Sequence, residues 1–157
     1  MISAELAALF ARDLTRVAQE LEAFPDEASL WRVAPGVTNS AGNLALHLEG
    51  NLREYIGRQL GHVAYSRQRP MEFSKRDVSK ATLVARIDEV RDLVTRVVAS
   101  LPRDTLDAPY PEDVLAVTLT SRQFLVHLYG HLSYHLGQID YLRRVTTGAG
   151  AIHLATL

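Results

Sequence analysis

Residues 127–138 read HLYGHLSYHLGQ, a run in which three histidines stand four residues apart among apolar side chains. Residues four apart on an α-helix share one face, with about 5–6 Å between their Cβ atoms. The same apolar period extends over residues 120–145. It begins at Thr120 and Gln123, which have the spacing of a capping box, and it ends before Gly148. The stretch therefore predicts one long helix that carries histidines toward its buried side.

Three further segments show a helical period. Residues 3–24 carry an apolar stripe that stops at Pro25, residues 39–60 end before Gly61, and residues 79–101 end before Pro102. We therefore predict an all-α protein, a four-helix bundle with long connecting loops. The loops of about fifteen to eighteen residues exceed the two to eight usual in simple bundles. Residues 114–119 are expected to be an extended, β-like part of the last loop.

The amino-acid composition excludes several kinds of site and partner. The 157 residues include no cysteine, which excludes disulfides, thiolate metal sites and a cysteine nucleophile. The formal net charge of −1 gives no global field that favours nucleic acid or a membrane surface as the partner. We find no signal peptide and no apolar run of about 18–20 residues, the length of a membrane span. The expected location is the cytoplasm.

The histidines of the last predicted helix do not all face the same way. On a helical wheel His131 and His135 lie within or beside the buried arc, and His127 lies at its flank. His127 and His135 are about 12 Å apart along the axis, too far to share one ion. His131 and His135 are therefore the candidate metal-ligating pair, and His127 is expected to pack or to orient a neighbour. The alternative is a pair of buried histidines hydrogen-bonded to backbone carbonyls or tyrosines.

A fourth histidine, His47, lies at the edge of the leucine stripe of the second predicted helix. Taken alone it is an ordinary residue at the rim of a helix. As a third ligand it would complete a three-histidine set, which suits a divalent ion that keeps open positions for water or substrate. The remaining histidines, His62 and His153, are expected to be exposed loop and tail residues.

Two motifs, taken in order, carry a resemblance to a known family. The first is Trp31 followed by NSAGNLALH at residues 39–47, and the second is His131-xxx-His135-xx-Gln138. Together they make the chain resemble the DinB/YfiT-like superfamily of bacterial metal-binding four-helix bundles over residues 5–145. Residues 67–73, RQRPMEF, also look like a segment of one branch of this group. The chain departs from better-studied members at Leu136, where arginine is common before Gly-Gln.

The resemblance implies a single domain over residues 1–157, folded as an up-down-down-up four-helix bundle. It implies a divalent metal, often nickel or zinc, held by three histidines, which in this sequence are His47, His131 and His135. It also implies a homodimer. The superfamily includes thiol-dependent isomerases and S-transferases that use mycothiol or bacillithiol, so the expected partner is a small-molecule substrate or a low-molecular-weight thiol.

A three-histidine site with an open position can make a nucleophile from water or a thiol near neutral pH. The leading hypothesis is a metal-dependent enzyme, of S-transferase or hydrolase type, that acts on a small electrophile. The alternative is a non-catalytic, stress-related homodimer that binds a metal or a ligand. No catalytic residue is assigned. The carboxylates nearest to the motifs in sequence, and so the candidates for a general acid or base, are Glu54, Glu72 and Asp140. Binding of an anionic substrate is the corresponding alternative for Arg67, Arg69, Arg143 and Arg144. A solvated surface position is the more usual role of such charged residues and is the expectation for each of them.

Overall fold

The computed structural model describes residues 2–156, in which the regular secondary structure is helical and no β-strand occurs. A π-helical turn, Arg53–Arg58, continues the third α-helix. The α-helices are α1 Ile2–Glu22, α2 Glu27–Leu30, α3 Ala41–Leu52, α4 Arg69–Ser74, α5 Lys80–Ser100, α6 Arg103–Asp107 and α7 Ser121–Thr147. Within the described residues, no helix has both the length and the apolar character needed to cross a membrane.

Side-chain caps start the helices near the predicted positions. Ser40 and Ser79 accept hydrogen bonds from the exposed backbone N–H groups at the starts of α3 and α5. The predicted capping box of α7 is confirmed, because Thr120 and Gln123 bond each other's backbone N–H groups. Gly148 ends α7 with φ of 73°, a left-handed conformation that glycine adopts without a Cβ clash.

The four long helices bury their apolar faces on one another. The first, α1, packs against α5 and α7, and α3 also packs against α5 and α7. Each contributes to one hydrophobic core, whose fully buried members include Phe10, Leu48, Leu83 and Leu125. One side of α7 therefore faces α1 and another faces α3.

Short helices occupy the long connections. The α2, α4 and α6 helices lie between the long ones, and α4 packs against α3. The prediction of an extended segment over residues 114–119 is wrong at its centre. Leu115 and Ala116 both have φ of 57°, and a single bridge pairs Val114 with Val117, so the chain turns back on itself. Leu115 is 58% exposed, and a strand without a surface to bury its apolar side chains gains little.

The two parts of the first family motif meet in space. The indole ring of Trp31 lies against Gly42 so closely that a Cβ there would be 2.5 Å from a ring carbon. The indole Nε1–H also donates to the Val78 carbonyl oxygen at 3.2 Å. Trp31 therefore fixes the start of α3 against the segment that leads into α5. This contact orients the helix that carries His47.

Candidate metal centre

Three histidines from two helices converge at the α3–α7 contact. The Nε2 atom of His131 lies 3.1 Å from the Nε2 atom of His47 and 3.1 Å from that of His135. One nitrogen from each ring lies within 4.8 Å of the other two. The two helices run antiparallel here, because Tyr55, two turns after His47, stacks edge-on with Phe124 at 5.4 Å. His131 and His135 reach the cluster together because one turn of α7 separates them.

Hydrogen bonds at the far side of two rings define where their protons lie. His47 donates its Nδ1–H to Glu72 Oε2 at 2.8 Å, and His135 donates its Nδ1–H to Gln138 Oε1 at 2.6 Å. A neutral imidazole with its proton on Nδ1 keeps a lone pair on Nε2. Both Nε2 lone pairs therefore point toward His131. A single proton on His131 Nε2 satisfies only one of them, so the cluster has an excess of acceptors.

Burial keeps His131 and His135 neutral. Desolvation is the main cause that lowers the pKa of His131 to about 3, and the neighbouring His135 and His47 rings lower it further. Desolvation also lowers the pKa of His135, against the hydrogen bond to Gln138, which raises it. His131 Nδ1 is buried and has no hydrogen-bond partner among residues 2–156. Neutral imidazole is the form that ligates metals.

Glu72, which we expected on the surface, is a buried part of this site. The residue is 6% exposed because α4 packs onto α3. Besides His47, it binds Arg67, whose Nε and Nη2 atoms donate at 2.7 and 3.0 Å. Burial alone would raise the pKa of Glu72, but the hydrogen bonds from His47 and Arg67 outweigh it and lower the pKa. The ion pair with Glu72 also places Arg67 in this site, so the expectation of a solvated position was wrong for Arg67 as well.

Two residues of α3 make room for Glu72 and hold its backbone. A Cβ at Gly50 would lie 2.1 Å from Glu72 Oε1, so the carboxylate occupies the space above this glycine. The Asn43 side-chain amide donates to the carbonyl oxygens of Glu72 and Lys75, at 2.9 and 3.0 Å. Asn43, His47 and Gly50 are spaced i, i+4, i+7 and therefore share one face of α3. These polar and small residues interrupt an otherwise apolar helix. From the sequence alone, this pattern could have indicated that a polar segment, here α4, packs on that face of α3.

The other histidines do not join the cluster. His127 is exposed and stacks on Phe124, with ring centroids 5.8 Å apart. His62 and His153 are exposed, and His62 follows the π-helical turn with φ of 53°.

The remaining charged candidates pair elsewhere. Glu54 pairs with Arg58, and Asp140 lies 3.7 Å from a nitrogen of Arg144. The exposed Arg69 guanidinium lies over Phe73. The prediction of a solvated position is wrong for Arg143, which is 1% exposed because it forms an ion pair with Glu20 of α1.

A cavity of about 750 Å³ adjoins the histidine cluster. Its walls come from residues 34–39, from Leu44 at the start of α3, and from α7. His135 and Gln138 both line it, so the cavity contains one histidine of the cluster together with the residue that accepts its Nδ1–H hydrogen bond. Its volume lies within the range of about 300–1,000 Å³ that is usual for small-molecule sites.

Comparison with known proteins gives one family and no individual relative. No curated protein and no solved structure matches the chain at a significant level. The family model of the DinB superfamily matches residues 9–139, which include all three clustered histidines and Gln138. The match covers most of the chain and spans both motifs on which the resemblance depended. The chain belongs to the DinB superfamily.

Proposed function

We propose that His47, His131 and His135 hold a divalent metal ion, nickel or zinc. The convergence of the three ring nitrogens within 4.8 Å carries this proposal. Tetrahedral ligand nitrogens at bond lengths of about 2.0–2.1 Å would be about 3.3 Å apart, close to the two Nε2 separations of 3.1 Å. The excess of acceptors also favours a cation, since a metal satisfies lone pairs that the single proton on His131 leaves without a donor.

The chemistry we propose is attack of a thiol or of water on a small electrophile. A divalent metal with three histidine ligands supplies the activation of that thiol or water. The chain has no cysteine, so a thiol nucleophile would come from a low-molecular-weight compound. The cavity beside His135 would receive the electrophile, while Gln138 keeps the His135 ring in place.

One observation favours the non-catalytic alternative, a metal- or ligand-binding protein. Glu72 is the carboxylate that touches the cluster, and it already accepts hydrogen bonds from His47 and Arg67. An acid engaged in this way is poorly suited to act as a general base, since its ion pair lowers its pKa.

For the assembly we propose an up-down-down-up bundle that forms a homodimer. The support is the family together with an exposed apolar face on α7, and isologous contacts bury such a face on both subunits at once. The residues of this α7 face are Val126, Tyr134, Tyr141 and Val145, each more than half exposed.

The decisive experiment compares two single-histidine variants of α7. Protein prepared without chelators is analysed for bound metal and then assayed with several small thiols and model electrophiles, beside ester and amide substrates. His131→Ala should lose metal and turnover. His127→Ala, one turn away on the same helix and outside the cluster, should keep both. Turnover by the native protein no greater than that of His131→Ala would establish the binding-protein alternative, and equal metal content in both variants would refute the metal site.

A further inference from the structure

The cavity beside the histidine cluster has an uncharged lining. None of the thirteen described residues that line it is aspartate, glutamate, lysine or arginine. Apolar surface comes from residues such as Val37, Leu44 and Leu142, and hydrogen-bonding groups come from Thr38 and Asn39. Charged residues make up 22% of the whole chain, so a lining without any differs from the average composition.

Gln138 offers hydrogen-bond donors to this cavity. Its Oε1 atom already accepts the Nδ1–H of His135 at 2.6 Å. Its amide nitrogen has no hydrogen-bond partner among residues 2–156, and Gln138 is one of the residues that line the cavity. Asn39 is another lining residue, and its side chain also has no hydrogen-bond partner within the described chain. An amide nitrogen only donates, so these groups are complementary to a ligand oxygen that only accepts.

A charged ligand would gain no opposite charge from this lining. Moving an ion out of water costs several kcal/mol unless a counter-charge or several hydrogen bonds replace the water. The guanidinium of Arg144 lies over the Tyr141 ring, 5.2 Å from its centroid, at the edge of the cavity. Asp140 lies 3.7 Å from that guanidinium and offsets its charge. The site therefore suits a neutral molecule.

We propose that this cavity binds an uncharged molecule with an apolar body and a carbonyl oxygen, which accepts a hydrogen bond from the Gln138 amide nitrogen. The proposal deepens the proposed function and rests on it for catalysis, because it names the class of electrophile. Gln138 joins the two sites, since one end of its amide orients His135 and the other contacts the ligand. Tyr134, Tyr141 and Val145 also belong to the α7 face proposed as the dimer contact, so the test must separate a ligand from a second copy.

The test uses three probes with the same phenyl-ethyl body: 4-phenylbutan-2-one, the 3-phenylpropanoate anion and the 3-phenylpropylammonium cation. Binding to metal-free protein is measured by ligand-detected NMR titration. The ketone should bind at least 10-fold more tightly than either ion. Metal-free protein keeps this result independent of the metal proposal, which the metal analysis tests separately. Binding of either ion as tightly as the ketone would overturn the assignment.

Substitutions then locate the bound ketone. Gln138→Glu keeps an acceptor for His135 but replaces the amide donors, so it should weaken ketone binding to the metal-free protein at least 10-fold. A separate metal analysis of the same variant should show that it still binds metal. Val37→Lys places a charge in the lining and should weaken binding similarly. Val33→Lys is the matched control, because Val33 is 43% exposed, Val37 is 40% exposed, and only Val37 lines the cavity.

Two results would count against the proposal. Unchanged ketone binding in Gln138→Glu or in Val37→Lys would place the ligand elsewhere. A Val37→Lys protein that changes from dimer to monomer by light scattering, without any ketone binding in the native protein, would make the cavity a contact between copies instead. If the native protein binds the ketone but no metal, the ligand site stands and the proposed metal chemistry fails.

Discussion

Polar side chains are buried on two sides of α7, against α1 and against α3, and the two groups differ in whether the protein itself supplies their partners. Toward α1, Asp13 accepts hydrogen bonds from Arg12, Arg16 and Ser133, and Glu20 forms an ion pair with Arg143. Each buried carboxylate there meets a cation of the chain itself. Toward α3, three imidazoles face one another, and His131 has no opposite charge beside it.

The difference separates a stabilising contact from a binding site. Buried polar groups are usually satisfied within the protein, and the α1 side largely follows that rule. On the α3 side the three imidazoles present more nitrogen lone pairs than hydrogen-bond donors. At least one lone pair is therefore buried without a partner, which destabilises the folded protein. A bound cation would accept these lone pairs and remove that cost. We therefore expect substitutions on the α1 side to change stability, and substitutions on the α3 side to change metal affinity.

The largest expected effect is on stability, from Arg143→Met. The substitution leaves the carboxylate of Glu20, which is fully buried, without its cation. Removing one partner of a buried ion pair costs about 3–5 kcal/mol. Burial already raises the pKa of Glu20 despite Arg143, so protonation of the carboxyl should keep the loss near the lower end. Urea denaturation of metal-free protein measures the change in unfolding free energy.

The matched control for that prediction is Arg144→Met. Arg144 is the next residue on α7, but its side chain is 39% exposed and its partner Asp140 is 24% exposed. Exposed pairs contribute about 0–1 kcal/mol, so this variant should be nearly as stable as the native protein. Metal affinity should stay within threefold in both variants. A similar loss of stability in the two would show that burial of the Glu20–Arg143 pair is not the cause.

The intermediate effect is on metal affinity, from Glu72→Ala. Glu72 orients the His47 ring through Nδ1, and loss of such a partner typically weakens metal binding by about 10–100-fold. Glu72→Gln keeps an oxygen that can accept from Nδ1–H, so its loss should be smaller, below about 10-fold. Competition titrations with a chromophoric chelator measure both constants.

Glu89→Ala serves as the control, since the Glu89 side chain is 67% exposed and pairs with Arg53. It should bind metal as the native protein does. The absorption spectrum of the Co²⁺-loaded protein adds a readout that a simple loss of stability would not move: Glu72→Ala should shift the ligand-field bands, because the His47 ring is no longer held. A native spectrum and native affinity in Glu72→Ala would contradict the positioning role.

Sequence periodicity located the long helices and the His131–His135 pair because both depend on residues close together in the chain, whereas His47 was assigned through the family resemblance. An apolar stripe and an i, i+4 histidine pair are properties of one helix, so a helical wheel reveals them. Proline and capping residues marked the helix ends for the same reason. The spacing of His131 and His135 therefore pointed to their common face before any tertiary structure was known.

The burial of Glu72 and Arg143 escaped prediction because it depends on partners far along the chain. The buried Arg143 pairs with the carboxylate of Glu20, 123 residues away in the sequence, and the buried Glu72 pairs with His47, 25 residues away. No wheel of a single helix shows such a partner. The π-helical continuation of α3 and the short helix α4 escaped for a related reason, since their stability comes from packing on neighbours rather than from a long apolar period.

The smallest expected effect is a pH dependence of the unfolding free energy that comes from Asp13. It tests whether charge stabilises the α1 side of α7. Burial alone would raise the pKa of Asp13, but hydrogen bonds from Arg12 and Ser133 outweigh it and hold the pKa below 3.8. A carboxyl with a lower pKa in the folded state binds fewer protons there than in the unfolded state. Its contribution to stability is therefore present above pH 3.8 and is lost as the pH falls through the folded value.

Asp13→Asn should accordingly lower the unfolding free energy by about 1–2 kcal/mol at pH 7, and by progressively less below pH 3.8. Urea denaturation of both proteins from pH 7 to pH 2.5 gives this difference, in which the other titrating groups largely cancel. Asp88→Asn is the control, because Asp88 pairs with Arg91 on the exposed side of α5 and its side chain is 42% exposed. That variant should differ little from the native protein at any pH. A stability difference for Asp13→Asn that stays constant down to pH 2.5 would mean that the shape of the side chain, and not its charge, stabilises the α1–α7 contact.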